Sequence, residues 1–269
     1  MGLVALFSLI ACGDDDDSGQ SVTDNTGSPL GGEITVFAAA SLTDAFNDLK
    51  AAFEMEHPEA TVTYNFGGSQ QLVTQLVEGA RADVFASANY PQMEAAQEGD
   101  VIEGEPQLFA RNRLAIIVPG DNPADINEPA DLAQSGIKLV VAAEAVPVGG
   151  YTLEVLDKMS ADPEFGEEFR SNVEANFVSL EDNVRQVVSK VALGEADAGV
   201  VYVTDVTADV ASQVELIEIP EEFNVVAEYP IAMVQGGDAE LAKAFIDYVL
   251  SEAGQAILQE YGFTERPSP

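Results

Sequence analysis

The tightest constraint in this sequence is an alternation. Short apolar, β-rich runs and stretches of helical spacing follow one another along almost the whole chain. The run Ile34-Thr-Val-Phe37 passes three alanines to Ser41, and Leu42, Phe46, Leu49 and Phe53 then recur on one helical face. This predicts a strand over 34–37 and a helix over about 41–56, opened by Ser41-Leu-Thr-Asp44 in the manner of a capping box. A strand running straight into a helix leaves unpaired backbone N–H groups and the positive end of the helix dipole at the turn, which suits an oxyanion. For this segment alone a capped helix is explanation enough; its weight comes from repetition.

The pattern returns along the chain. A strand is expected over 60–66, then the turn Gly67-Gly68, with Ser69 capping a helix that carries Leu72, Leu76 and Val77 and stops at Gly79. Strands follow over 83–86 and 114–118, with a helix over 91–98 between them and a Pro- and Asp-rich loop over 120–130. Next come a strand over 139–142, a helix from Gly150, a short strand at Phe177, a helix over 184–193 and a strand over 198–203. Two further strands, 214–219 and 225–234, precede a last helix over 239–261. Such a βαβ rhythm implies a mainly parallel sheet with helices on both faces, built twice over. In these sheets ligands sit at the carboxyl ends of strands. Four junctions fit that position: Ala40-Ser41-Leu42, Phe66-Gly-Gly-Ser69-Gln, Val146-Pro-Val-Gly-Gly-Tyr151 and Asp182-Asn-Val-Arg185. Tyr202, in Gly199-Val-Val-Tyr-Val-Thr-Asp205, adds a hydroxyl. None of these is specific by itself, and a lone tyrosine more often serves a core with its hydroxyl satisfied.

Charge excludes several classes of function. Eleven Lys and Arg face 47 Asp and Glu, a formal net charge of −36, so nucleic acid and anionic membranes would be repelled. With 46% hydrophobic residues beside that charge, the chain reads as a soluble, core-forming protein adapted to salty surroundings. One cysteine and one histidine leave no zinc site or Cys–His chemistry. His57, at a helix end, reads as solvent-facing, and the Gly-Gly pairs lack both the Walker lysine and the dinucleotide spacing. An enzyme is not the reading these residues favour.

The N-terminus differs from the body. Residues 3–11 form an apolar stretch of secretory type, and Leu9-Ile10-Ala11-Cys12 resembles the lipobox of bacterial lipoproteins, in which the cysteine is acylated. No Lys or Arg precedes the stretch, a departure from the usual signal. Residues 1–12 are thus expected to be a signal segment ending in the lipid-bearing Cys12. Residues 13–32, rich in Asp, Ser, Gly and Thr, should form a flexible tether with an end-to-end distance of roughly 25 Å.

Taken together and in order, the segments 34–43, 82–88, 146–149, 199–202, 228–232 and Tyr261-Gly-Phe263 resemble the molybdate-binding proteins of bacterial ABC importers. The resemblance covers 33–263 and implies two α/β lobes of the periplasmic-binding-protein fold, with the ligand in the cleft between them. Lobe 1 would be 33–112 plus 230–269 and lobe 2 would be 113–229, with crossings near Arg113 and Glu228, the latter a hinge residue. The ligand would be molybdate or tungstate, with no cofactor, held by hydroxyls and backbone N–H groups rather than charged side chains. Carried over residue by residue, the site is Ser41, Ser69, the N–H groups of Val148 and Val184, and the Tyr202 hydroxyl. Two places depart from the commonest pattern: Gly67-Gly68 stands where a serine-rich turn is frequent, and Asn183 where an aspartate is. A site made only of donors rewards a fully deprotonated oxyanion and has no acceptor for a protonated one such as hydrogen phosphate. The implied partners are a transporter permease and, through the lipid alone, a membrane, with the protein itself a monomer. Two alternatives stay open: a binder of another oxyanion such as sulfate, and an anchored module that acts by protein contact.

Overall fold

A computed structural model describes residues 30–264. The expected signal segment, Cys12 and most of the tether lie outside these residues. Gly31 and Gly32, expected at the end of the tether, instead open the first strand, where they pair with Glu59 and Ala60.

The elements follow one another as β1 (Gly31–Ala39), α1 (Thr43–Glu56), β2 (Glu59–Gly67), α2 (Ser69–Val77), β3 (Val84–Ala86) and α3 (Tyr90–Glu98). The middle of the chain holds β4 (Ile102–Pro119), β5 (Leu139–Ala142), α4 (Pro147–Ala161), α5 (Phe169–Glu174), β6 (Phe177–Glu181), α6 (Val184–Ala192) and β7 (Ala198–Tyr202). Then come β8 (Val214–Glu218), β9 (Val226–Val234), α7 (Ala239–Leu250) and α8 (Glu252–Glu260).

Among the described residues the strands run β2-β1-β3-β9-β4-β7-β5-β6, with β8 also on β4. Each of the two lobes has a parallel heart, β2-β1-β3 in one and β6-β5-β7 in the other. Antiparallel β9, β4 and β8 complete them, so the sheets are mixed at the join. Strand β4 serves both lobes. Its Arg113 lies opposite Val226 of β9, and the next residue, Leu114, lies opposite Tyr202 of β7.

The parallel heart is covered on both faces, as its near-continuous apolar runs require. In β1, Ile34 and Val36 face a cluster containing Phe46 and Phe53 of α1 and Phe245 of α7, while Phe37 faces Leu72, Leu76 and Met93 beneath α2 and α3. Phe53 and Phe245 meet edge-on at 5.4 Å between centroids. Each such fully buried large side chain contributes about 1.5–3 kcal/mol.

Several elements depart from the sequence expectation, each for a local reason. Strand β4 starts at Ile102 rather than 114, hidden by Glu103-Gly-Glu-Pro106 and by two register shifts against β9. The six residues of α5 are too few to show a helical period. The long last helix is two, because Ser251 breaks it and its hydroxyl caps α8 by accepting from the Gly254 N–H at 3.1 Å. Helix α4 opens at Pro147, three residues early, with proline at its first position. His57 is half-buried and lies against Phe53 at 4.7 Å.

Candidate functional site

The carboxyl ends of β1, β2, β3, β5, β6 and β7 converge on one cleft between the lobes. There a small cavity is lined by Ser41, Ser69, Val148, Val184 and Tyr202, all five site residues singled out in the sequence. Its other walls are small: Ala39, Ala40, Gly67, Gly68, Ala88, Val146, Pro147 and Asn183. The space inside it for the centre of a water-sized sphere is about 10 Å³, far below the roughly 300–1,000 Å³ usual for small-molecule sites, so a nucleotide or a sugar is too large for it. No Asp, Glu, Lys, Arg or His lines it.

The two serines arrive there differently from the capping roles expected of them. Ser41 lies in a 3₁₀ turn over Ala40–Leu42, α1 starts only at Thr43, and no side chain caps it. The carbonyl of Ala40 is taken instead by the Thr43 hydroxyl at 2.7 Å, and Asp44 pairs with Arg185 rather than closing a box. The Ser41 hydroxyl caps no N–H; it lines the cavity and lies 3.1 Å from the Tyr229 hydroxyl. Ser69 is the first residue of α2, not its cap; Gly68 precedes it in extended backbone, and the Ser69 hydroxyl accepts from the Ala88 N–H at 3.1 Å.

The second lobe contributes backbone. Val148 is the second residue of α4 and Val184 the first of α6, and both are buried. N–H groups in a first helical turn have no partner within the helix, and they point where the dipole is positive. Asn183 caps α6, accepting from the Gln186 N–H at 3.2 Å, and as an amide it adds no negative charge. Tyr202 ends β7 with 1% of its surface exposed. Its hydroxyl is one of three buried side-chain atoms among the described residues without a hydrogen-bond partner; the others are Gln70 Oε1 and Asp205 Oδ1. Burial pushes the Tyr202 hydroxyl far above its ordinary pKa, so it stays a protonated donor.

The lobes touch around this cavity. Gln70 Nε2 donates to the Asp182 carbonyl at 2.9 Å and Gln92 Nε2 to the Ala145 carbonyl at 3.2 Å. Arg185 reaches from α6 to the Ala40 carbonyl at 3.3 Å and forms an ion pair with Asp44. Its Nε also lies 3.9 Å from Asp205, a fully buried carboxylate whose other oxygen accepts from the Tyr202 N–H at 3.0 Å. Burial outweighs those partners and raises the Asp205 pKa to about 7. Glu228 is held by Arg111 across the strand pair, at 2.5 and 3.0 Å. Among the described residues no group of His, Cys, Asp and Glu could hold a metal ion, and no helix is long and apolar enough to cross a membrane.

Sequence reasoning did not assign a role to Ala88, Asn112 or Tyr229. Ala88 sits just past the carboxyl end of β3, a position the strand-end rule marks. The other two carry no sequence signal, because they approach only when β4 and β9 pair.

Residues 34–264 match the family described as bacterial extracellular solute-binding protein. The chain is 36% identical over 268 residues to a protein named molybdate-binding protein ModA from Mycobacterium tuberculosis, covering 98% of this chain and 97% of that one. Among solved structures, the periplasmic molybdate-binding protein of Azotobacter vinelandii superposes with a TM-score of 0.73 at 19% identity, over 87% of this chain and 99% of that one. The sulfate-binding protein SubI of Mycobacterium tuberculosis superposes with 0.78 at 17% identity, over 87% of each. The two structural likenesses establish the fold alone and do not separate one anion from the other.

Proposed function

The chain belongs to the bacterial extracellular solute-binding proteins, and we propose that the solute it captures is molybdate, with tungstate as a close second. One observation carries this reading: the buried Tyr202 hydroxyl has no partner and lines a small cavity whose other polar edges are serine hydroxyls and helix-end N–H groups. A fully deprotonated tetrahedral dianion is acceptor on every side, and it matches such a lining without any charged side chain. Ser41, Ser69, the N–H groups of Val148 and Val184, and Tyr202 would each donate to it. Identity of 36% over nearly the whole length to a protein named for molybdate supports molybdate over sulfate.

The net charge of −36 opposes capture only weakly. Exposed charges beyond a Debye length of about 8 Å are screened, whereas the donors act at contact. The site binds and releases its anion without chemistry, and it works outside the cytoplasm, passing the anion to a transporter permease. The lobes are divided at 113 and 230, near the change of partner along β4, and close over the anion by movement at those crossings. Cys12 carries the lipid that holds the protein to a membrane, and the protein acts as a monomer.

Calorimetric titration with molybdate, tungstate, sulfate and phosphate in high salt tests the reading. Tight binding of the first two with weak binding of the others is expected. Sulfate binding best would keep the fold and overturn the ligand; heat from none of the four would favour a module that acts by protein contact.

A further inference from the structure

The Ser41 hydroxyl can donate to an anion or accept from one, and the residues behind it decide which. Asn112, buried at the join of the lobes, accepts from the Arg113 N–H through Oδ1 at 2.9 Å. Only a carbonyl oxygen can take that bond, so the other arm of the amide is its NH2 group. That group donates to the Thr204 hydroxyl at 2.8 Å and to the Tyr229 hydroxyl at 3.4 Å. Either hydroxyl of the Ser41–Tyr229 pair, 3.1 Å apart, could donate; since the Tyr229 oxygen already accepts from the amide, the sense that satisfies it is donation to Ser41 Oγ. Ser41 then accepts from behind, and its proton turns into the cavity.

The arrangement at Ser69 is the same in kind. Its oxygen accepts from the Ala88 backbone N–H, which can only donate, and its proton is likewise free for the cavity. Both serines thus have a donor fixed behind them, one from backbone and one from a chain of side chains.

We propose that Asn112 and Tyr229 are positioning residues that set the sense of the Ser41 hydroxyl, making it a donor to the bound anion and turning the site against anions that carry a proton. The proposal rests on the oxyanion reading above and deepens it by naming what rejects hydrogen phosphate. Neither residue lines the cavity. Sulfate and monohydrogen phosphate have equal charge and nearly equal size, but only phosphate presents a proton that needs an acceptor. The ratio of their affinities therefore reports the sense of Ser41 with charge and volume held constant.

The test uses the full chain and its Tyr229→Phe variant, folding checked by thermal melting, at mildly alkaline pH. Molybdate is titrated directly, and sulfate and phosphate are measured by displacement of molybdate. In the variant the Ser41 proton is free to turn back, so molybdate and sulfate should weaken about fivefold while phosphate does not, and the phosphate-to-sulfate ratio rises by a similar factor. Asn112→Asp keeps the shape but accepts from Tyr229, which reverses the chain; the ratio should shift in the same direction, and this variant carries the test if Tyr229→Phe does not fold. A ratio unchanged from wild type, or all three anions weakened in equal proportion, would overturn the proposal. A wild-type chain that binds none of the three would overturn the oxyanion reading and the proposal with it.

Discussion

Gly68→Ala isolates closure of the lobes from folding of either one. Gly68 belongs to the first lobe, and its backbone at φ −63° and ψ 135° is one that alanine adopts freely. An added Cβ would lie 2.4 Å from the carbonyl oxygen of Asp182 in the second lobe. It would also lie 2.6 Å from the Gln70 amide, which can swing away as the end of a flexible side chain. The carbonyl is fixed at the start of α6, so relief requires that lobe to retreat by about 1 Å to reach ordinary contact. A hydrogen bond of 2.9 Å, such as Gln70 to Asp182, does not survive that displacement. The same retreat carries the first turn of α6, and with it the Val184 N–H, away from the anion. Losing one or two bonds to a charged group at about 1.5–3 kcal/mol each costs roughly 3 kcal/mol, or about a hundredfold in affinity. On the proposed closure the lobes part when the site is empty, which makes room for the methyl, so the free protein should be unaffected. Calorimetry with molybdate, beside thermal melting with and without it, measures both quantities. Wild-type affinity in the variant would refute the closure geometry, and a melting temperature lowered equally with and without molybdate would make Gly68 merely a folding residue.

Other perturbations follow from the same structure. Tyr202→Phe or Ser41→Ala removes one bond to a charged ligand, about 1.5–3 kcal/mol, so molybdate affinity should fall roughly tenfold or more in calorimetry. A variant that binds as tightly as wild type would exclude that residue from the site. Asp205 has a folded pKa of about 7 against an ordinary 3.8, so the native state holds its proton more tightly than the unfolded chain does. Its stabilising effect is full below about pH 4 and is lost as pH rises through 7. Asp205→Asn should therefore melt higher than wild type at pH 8, by an amount that fades on acidification; a pH-independent difference in melting scans would count against this. With a net charge of −36, the fold should gain stability as salt screens its self-repulsion, and melting temperatures indifferent to added sodium chloride would contradict that.

Much of this molecule can be read from local pattern. Strand β5, the first residue of α6 and the end of β9 fall where periodicity puts them, because each is an apolar run bounded by polar or glycine residues. The lost elements are those whose local pattern is weak: the bulged first half of β4, the six residues of α5 and the break at Ser251. The residues lining the cavity were identifiable because strand-to-helix junctions are local, and five of them, taken with a family resemblance, fall on one cavity.

What the junctions do was decided elsewhere. Ser41 and Ser69 look like helix caps in sequence, and local rules favour that role. Tertiary structure gives Arg185 the Asp44 carboxylate, Tyr229 the Ser41 hydroxyl and Ser69 the Ala88 N–H, and neither serine hydroxyl caps a helix. The partners lie 19 residues apart for Ser69 and Ala88, 141 for Asp44 and Arg185, and 188 for Ser41 and Tyr229. Periodicity reports which face of an element is apolar, a property of neighbours in the chain. The sense of a hydroxyl depends on which donor stands behind it, and that is settled only when distant strands come together.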